Sequence, residues 1–170
     1  MGENAIDFGR RRFLTGRPVQ PQPEGVRPPW SRAASVAAAC TGCGDCVPAC
    51  PQQIIALDAG GRPALSFAAS ECSFCGACAE ACPEQVFDRL LPAFAHVAAV
   101  GSDCFARRGI VCQSCGDACP ESAIRFRARL GGPALPEIAS DRCNGCGACI
   151  AACPAQAIAV GARPAEAAHA

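Results

Sequence analysis

Apolar and polar positions alternate along this chain only in short bursts. Four of them recur: Gln53-Ile54-Ile55-Ala56-Leu57, Gln85-Val86-Phe87, Ala123-Ile124-Arg125-Phe126 and Ala157-Ile158-Ala159-Val160. Each has the length and the β-branched or aromatic content of a strand rather than a helix. Asp58-Ala59-Gly60-Gly61 and Arg129-Leu130-Gly131-Gly132 predict turns, after which Ala64-Leu65-Ser66-Phe67 and Ala134-Leu135 return. No apolar run approaches the roughly 18 residues of a membrane span. Residues 1–31 carry Pro, Gly and Arg with no period and predict an extended, mobile arm.

What precedes each burst is a group of cysteines closed by proline. Cys40, Cys43, Cys46 and Cys50 lead into Pro51; Cys72, Cys75, Cys78 and Cys82 into Pro83; Cys143, Cys146, Cys149 and Cys153 into Pro154. These three groups share the spacing C-x2-C-x2-C-x3-C-P. The group that lies third in the chain departs from it: Cys104-x7-Cys112-x2-Cys115-x3-Cys119, then Pro120. Ser102-Asp103-Cys104 echoes Ser70-Glu71-Cys72, and Cys104 follows Cys72 by the same 32 residues that separate Cys72 from Cys40. Cys104 therefore reads as a first ligand with five residues inserted after it, and as a free buried cysteine otherwise.

Composition sharpens the picture. Sixteen of the 170 residues are Cys, whereas only 24 are Val, Ile or Leu, because 36 Ala inflate the hydrophobic fraction of 51%. So thin an aliphatic core needs staples: disulfides, zinc or iron–sulfur clusters. Structural zinc usually takes two C-x2-C pairs per metal, which four-cysteine groups ending in proline do not match. The C-x2-C-x2-C-x3-C-P run is that of bacterial four-iron ferredoxins, in which the fourth cysteine serves the other cluster of a pair. Three closely spaced cysteines can curl around a cubane. Glycines at 42, 44, 76, 116, 145 and 147 let the backbone approach it. The expectation is four [4Fe-4S] clusters held by all sixteen cysteines, or three if Cys104 is not a ligand.

Charge narrows the partners. Fifteen Arg balance fifteen acids, with no Lys, so this is not a basic nucleic-acid binder. Four loaded clusters would bring the net charge to about −8 and favour a partner with basic patches. No Ser-His-Asp set, carboxylate pair or phosphate-binding loop is visible, and nothing points to substrate chemistry of the chain's own. Arg10-Arg11-Arg12-Phe13-Leu14 looks like a twin-arginine export signal, but the residues after it are polar and proline-rich where a signal needs an apolar stretch. The segment reads as an uncleaved tail and the expected compartment is the cytoplasm, where thiols persist.

The predicted fold class is α+β, with an arm over residues 1–31 and two tandem bacterial-type ferredoxin modules over 32–92 and 93–170. The modules combine short β-hairpins, cysteine loops and one-turn helices. The Gly-Gly turns in the first and third linkers favour sequential pairing of the cysteine groups (first with second, third with fourth). Nested pairing remains the alternative. The linker of residues 88–101 lacks such a turn and looks like a crossing between modules.

The cysteine groups make the chain similar to bacterial polyferredoxins over residues 40–154. Arg10-Arg11-Arg12-Phe13-Leu14-Thr15-Gly16-Arg17, Arg27-Pro28-Pro29-Trp30, the x7 spacing and the ending His169-Ala170 carry a narrower resemblance. Together they resemble the NapF family, ferredoxin-type accessory proteins of the periplasmic nitrate reductase system. That resemblance implies a cytoplasmic protein that contacts the unexported catalytic subunit NapA and assists its maturation, by cluster assembly or redox activation. A permanent electron-transfer subunit of a respiratory oxidoreductase is the other reading. Arg10, Arg11, Arg12, Phe13, Leu14 and Trp30 are candidate partner-binding residues, although Arg-rich tails are commonly solvated and Trp30 is expected to pack against the first module. His96 reads as a satisfied histidine rather than a ligand, and Arg107 and Arg108 as exposed.

Overall fold

The computed structural model describes residues 25–163. Arg10, Arg11, Arg12, Phe13 and Leu14 lie outside the described residues. The elements in chain order are α1 (Ala33–Ala39), β1 (Ile55–Leu57), β2 (Pro63–Leu65), α2 (Ala77–Glu80), β3 (His96–Val100), α3 (Ser114–Asp117), β4 (Ile124–Arg129), β5 (Gly132–Ile138), α4 (Ala148–Ala151) and β6 (Ile158–Ala162). The strands form three antiparallel two-stranded sheets, β1–β2, β4–β5 and β3–β6.

Both Gly-Gly turns close hairpins. In the first, Ile55 faces Leu65 and Leu57 faces Pro63. The Asp58 carboxylate accepts the amides of Gly60 and Arg62 and so holds the turn. In the second, Ile124 faces Ile138, and a register shift between Arg127 and Arg129 takes up the irregularity before the tip. Buried Ile54, Ile55, Leu65 and Phe67 surround Cys46, Cys72 and Cys78 in one core; buried Ile124 and Ile158 meet Cys115 and Cys149 in the other. In each core the cysteines stand where a larger protein would place aliphatic side chains.

The turn that follows Cys-Pro decides whether a strand comes next. Gln53, Ser122 and Gln156 each sit three residues after the last cysteine of a group with positive φ. Each donates its amide back to that cysteine's carbonyl. A strand begins two residues further on each time. Gln85 has no such conformation, and Gln85-Val86-Phe87, expected as a strand, is a turn with Val86 buried at 2% exposure. The chain there is held by the Asp88 amide donating to the Trp30 carbonyl instead of by a sheet partner.

The expected crossing segment contains β3, whose five residues pair with β6. Its small alternating side chains and His96 hid it among loop signals. Helix α1 was also not anticipated. Its seven residues are five alanines, with high helix propensity, plus Ser35 and Val36, and Ser35 Oγ accepts the Arg32 amide at its start. Helices α2, α3 and α4 are the expected single turns. The first cysteine group has turns in their place, because Pro48 removes a backbone donor in mid-turn.

The arm boundary needs correction. Residues 26–31, counted with a free arm on sequence grounds, are packed on the first module. The Val26 carbonyl accepts the Leu65 amide and its side chain rests on the core. Pro28 and Ser31 are buried. Arg27 pairs with Asp58 at 2.9 Å. Local composition reads as linker, but the third dimension supplies β2 and Asp58 as partners.

Candidate metal centres

Four cavities open on the cysteine loops, and each is ringed by four cysteines. The first is lined by Cys40, Cys43, Cys46 and Cys82. The second is lined by Cys50, Cys72, Cys75 and Cys78. The third is lined by Cys104, Cys112, Cys115 and Cys153, and the fourth by Cys119, Cys143, Cys146 and Cys149. We refer to these as tetrads I, II, III and IV. Each takes three cysteines from one group and the fourth from its neighbour, and the exchange runs between the first and second groups and between the third and fourth. All sixteen cysteines are used once.

Cys104 lines tetrad III. The seven residues 105–111, five more than the other groups have between their first and second cysteines, fold into a compact turn, with Ile110 donating to the Phe105 carbonyl and Arg108 to that of Cys104. Ala106 is fully buried beneath this turn, and Phe105 lines the cavity beside Cys104 and Cys112. The extra residues bulge outward, so the first cysteine of the group keeps its place.

The electrostatics follow these sets and also link neighbouring ones, Cys149 of tetrad IV having Cys115 of tetrad III among its neighbours. Cys78 is pushed up to about 12, first by burial and then by Cys72, Cys75 and Cys50. Cys149 also rises to about 12, by burial and then by Cys143, Cys146, Cys115 and Cys119. Burial raises Cys115 to about 11, with Cys104, Cys112 and Cys153 adding to it. Cys46 is raised by burial and by Cys43, Cys82 and Cys40. Four thiolates in an apolar pocket repel one another and lack solvation, and a multiply charged cationic core removes both penalties. The wall carries donors as well. Cys119 Sγ accepts the Ala123 amide and Cys153 Sγ the Ala157 amide, both at 3.3 Å, as sulfurs of a bound cluster would.

None of the cysteines is in a disulfide. Among the described residues no three of His, Cys, Asp and Glu converge closely enough to clasp a single ion. The sulfurs are instead spread around a cavity, an arrangement that suits a cubane, which meets its ligands at separate corners, better than one tetrahedral ion. The residues present fit [4Fe-4S] clusters.

The remaining candidates take structural places. His96 Nε2 lies 2.9 Å from the Gly145 carbonyl and its ring stacks on Phe94 with centroids 4.6 Å apart. Burial lowers its pKa, so the neutral ring donates to that carbonyl and braces the fourth cysteine loop. Trp30 is half-buried, its amide donates to Ala93, and the Arg89 guanidinium lies over its ring at 5.2 Å. Arg107 and Arg108 are exposed. Phe74 is a residue that sequence reasoning passed over: it adopts φ of 56° where the first and fourth groups have Gly42 and Gly145, and packs on Phe94 with centroids 5.8 Å apart.

A fold of short hairpins around paired cysteine tetrads, each lined in part by the neighbouring group, defines a ferredoxin-type iron–sulfur protein. The family described as 4Fe-4S dicluster domain matches twice, over residues 39–86 and 109–157. The chain is 44% identical over 155 residues to the ferredoxin-type protein NapF of Escherichia coli K12, covering 90% of this chain and 94% of that one. It is also 44% identical over 138 residues to the ferredoxin-type protein NapF of Haemophilus influenzae, covering 79% and 77%. The chain belongs to the NapF family of ferredoxin-type proteins. No solved structure matches it. No helix among the described residues is long and apolar enough to cross a membrane.

Proposed function

We propose that this chain is a cytoplasmic polyferredoxin carrying four [4Fe-4S] clusters in tetrads I to IV, and that it assists the maturation of a NapA-like nitrate reductase catalytic subunit before export. The observation that carries the cluster count is the fourfold ring of cysteines, with Cys104 completing tetrad III. Bound clusters supply one-electron redox chemistry. The protein's own residues hold them and shield them with Ile54, Ile124 and Ile158, and two of the cysteines reach the surface. Cys43 and Cys75 are exposed. Access of that kind favours transient exchange with a partner over burial inside a permanent respiratory complex.

The partner role rests on the family and on the arm. Arg10, Arg11 and Arg12 offer planar forks for carboxylates, and Phe13 and Leu14 offer apolar anchors. Residues 25–31 serve the fold, so the docking segment shrinks to residues 1–24. An anaerobic pull-down of the unexported catalytic subunit with full-length and 25–170 protein tests the reading. Loss of the arm should leave iron and sulfide content unchanged and weaken binding at least several-fold. Equal capture by both forms would move docking onto the ferredoxin modules, and no capture by either would remove the maturation role.

A further inference from the structure

The two modules meet at a seam, and the seam joins one particular tetrad of each. The Cys72 amide donates to the Cys146 carbonyl at 2.8 Å, although 74 residues separate them. Cys72 belongs to tetrad II and Cys146 to tetrad IV. Phe67 of the first module, 5% exposed, covers the backbone of Gly147 so closely that a Cβ there would lie 2.2 Å from its ring. Ile150 and Val160 pack against the first module's core. Phe94 closes the gap, edge-on to Phe67 and packed on Phe74 of the second cysteine loop.

Within a module the exchanged fourth cysteine binds the tetrads into pairs, I with II and III with IV. Across the seam, among the described residues, only II and IV are joined by a direct backbone bond. We infer that the four cluster sites form a single series, I–II–IV–III, in which the seam residues Phe67, Gly147, Cys72 and Cys146 position the inner pair for electron exchange. This order differs from chain order, and the module ends, tetrads I and III, become the termini of the series. The inference rests on the four-cluster reading above. It makes Phe67 and Gly147 positioning residues that touch no iron.

Gly44 and Gly147 provide the test, because they hold the same place in their cysteine groups. Their φ values are +86° and +89°, so alanine strains both backbones alike. A Cβ at Gly44 meets only Leu57 Cδ1 at an ordinary 3.7 Å, whereas one at Gly147 collides with Phe67. Wild type, Gly44→Ala, Gly147→Ala and Phe67→Ala would be reconstituted anaerobically and fully reduced. Iron and sulfide analysis, spin–spin broadening in the EPR spectrum and small-angle scattering would then be compared. About sixteen iron per chain in the wild type upholds the four-cluster reading; a lower value removes that reading and the series with it. The series predicts that Gly147→Ala and Phe67→Ala lose at least half of the inter-module broadening per bound cluster and expand in scattering, while Gly44→Ala, which strains the tetrad I loop alike, keeps the wild-type dimensions and the broadening between tetrads II and IV. Phe67→Ala removes a side chain packed beside Cys46, Cys72 and Cys78 but changes no residue of a cysteine loop, and at full iron content it decides the matter if Gly147→Ala sheds iron. Wild-type broadening and dimensions in Phe67→Ala, at full iron content, would overturn the inference.

Discussion

The two modules repeat one cysteine plan and close it differently. In the second module the strand before the cysteines, β3, pairs with the strand after them, β6, over five residue pairs from His96–Ala162 to Val100–Ile158. The first module has only the three-residue strands β1 and β2. No strand follows its second cysteine group. Its outer closure is assembled from Val26, the turn at Trp30, and α1, onto which Arg62 reaches to donate to the Val36 carbonyl. The difference teaches that the cysteine spacing specifies the metal cage but not the wrapping. A sheet can wrap the cage wherever the turn after Cys-Pro enters a left-handed residue. Where it does not, a neighbouring segment must be recruited.

The largest effect expected is common to both modules. Their aliphatic cores are small, and sites absent from the unfolded chain turn metal binding into folding free energy. Iron removal by an anaerobic chelator should abolish the cooperative transition seen by circular dichroism in both. A module that kept a sharp apoprotein transition would have a self-sufficient core, and the β3–β6 module is the one to watch.

Single cysteine changes come next and separate the modules. Cys104→Ser should lower iron from about sixteen to about twelve per chain by emptying tetrad III. Cys82→Ser should empty tetrad I, although Cys82 belongs to the second group. Iron unchanged in Cys104→Ser would make that thiol a bystander. Loss of the cluster held by Cys72, Cys75 and Cys78 in Cys82→Ser, read by iron quantification with the tetrad I variants as reference, would break the crossed assignment.

The wrapping predicts a smaller, one-sided effect. Deleting residues 1–24 should leave unfolding unchanged, whereas deleting 1–31 removes Val26, Pro28 and Trp30 and should unfold the first module ahead of the second. Val36, 1% exposed in α1, should cost about 2 kcal/mol as Val36→Ala. Denaturant unfolding resolved by hydrogen exchange would assign the loss. Equal destabilisation of both modules would mean that the seam spreads it.

The smallest effect concerns pH at the first hairpin. Amides of Arg62 and Gly60 and the Arg27 guanidinium hold the Asp58 carboxyl below its ordinary range, the Arg62 amide contributing most. A carboxyl depressed in the folded state stabilises above its unfolded pKa, about 4, and that contribution is lost as pH falls through the lower folded value. Asp58→Asn should flatten this acid dependence in the first module and leave the second unaffected. An unaltered acid limb would show that the turn is held by its glycines alone.

The cysteine spacing suffices to read the ferredoxin class and the single-turn helices, and the apolar bursts with their Gly-Gly turns suffice for both hairpins, because these depend on residues within a few positions of one another. The 32-residue repeat marks Cys104 as the first member of its group, and it lines a cavity with Cys112, Cys115 and Cys153. Local pattern failed where a partner lay far off. Strand β3 is a run of small side chains made a strand by β6, Gln85-Val86-Phe87 lost its strand for want of a left-handed turn, and residues 25–31 look like tail until β2 and Asp58 meet them. The seam belongs to the same class. Nothing near Cys72 announces Cys146, and Gly147 differs from Gly44 only in what packs above it. Spacing along the chain determines which three sulfurs of a group can share a cage, since those three are local; the fourth arrives from the neighbouring group only through the fold. Which cages stand side by side is decided by long-range packing of Phe67, Phe94, Ile150 and Val160, whose contacts exist only once the chain has folded.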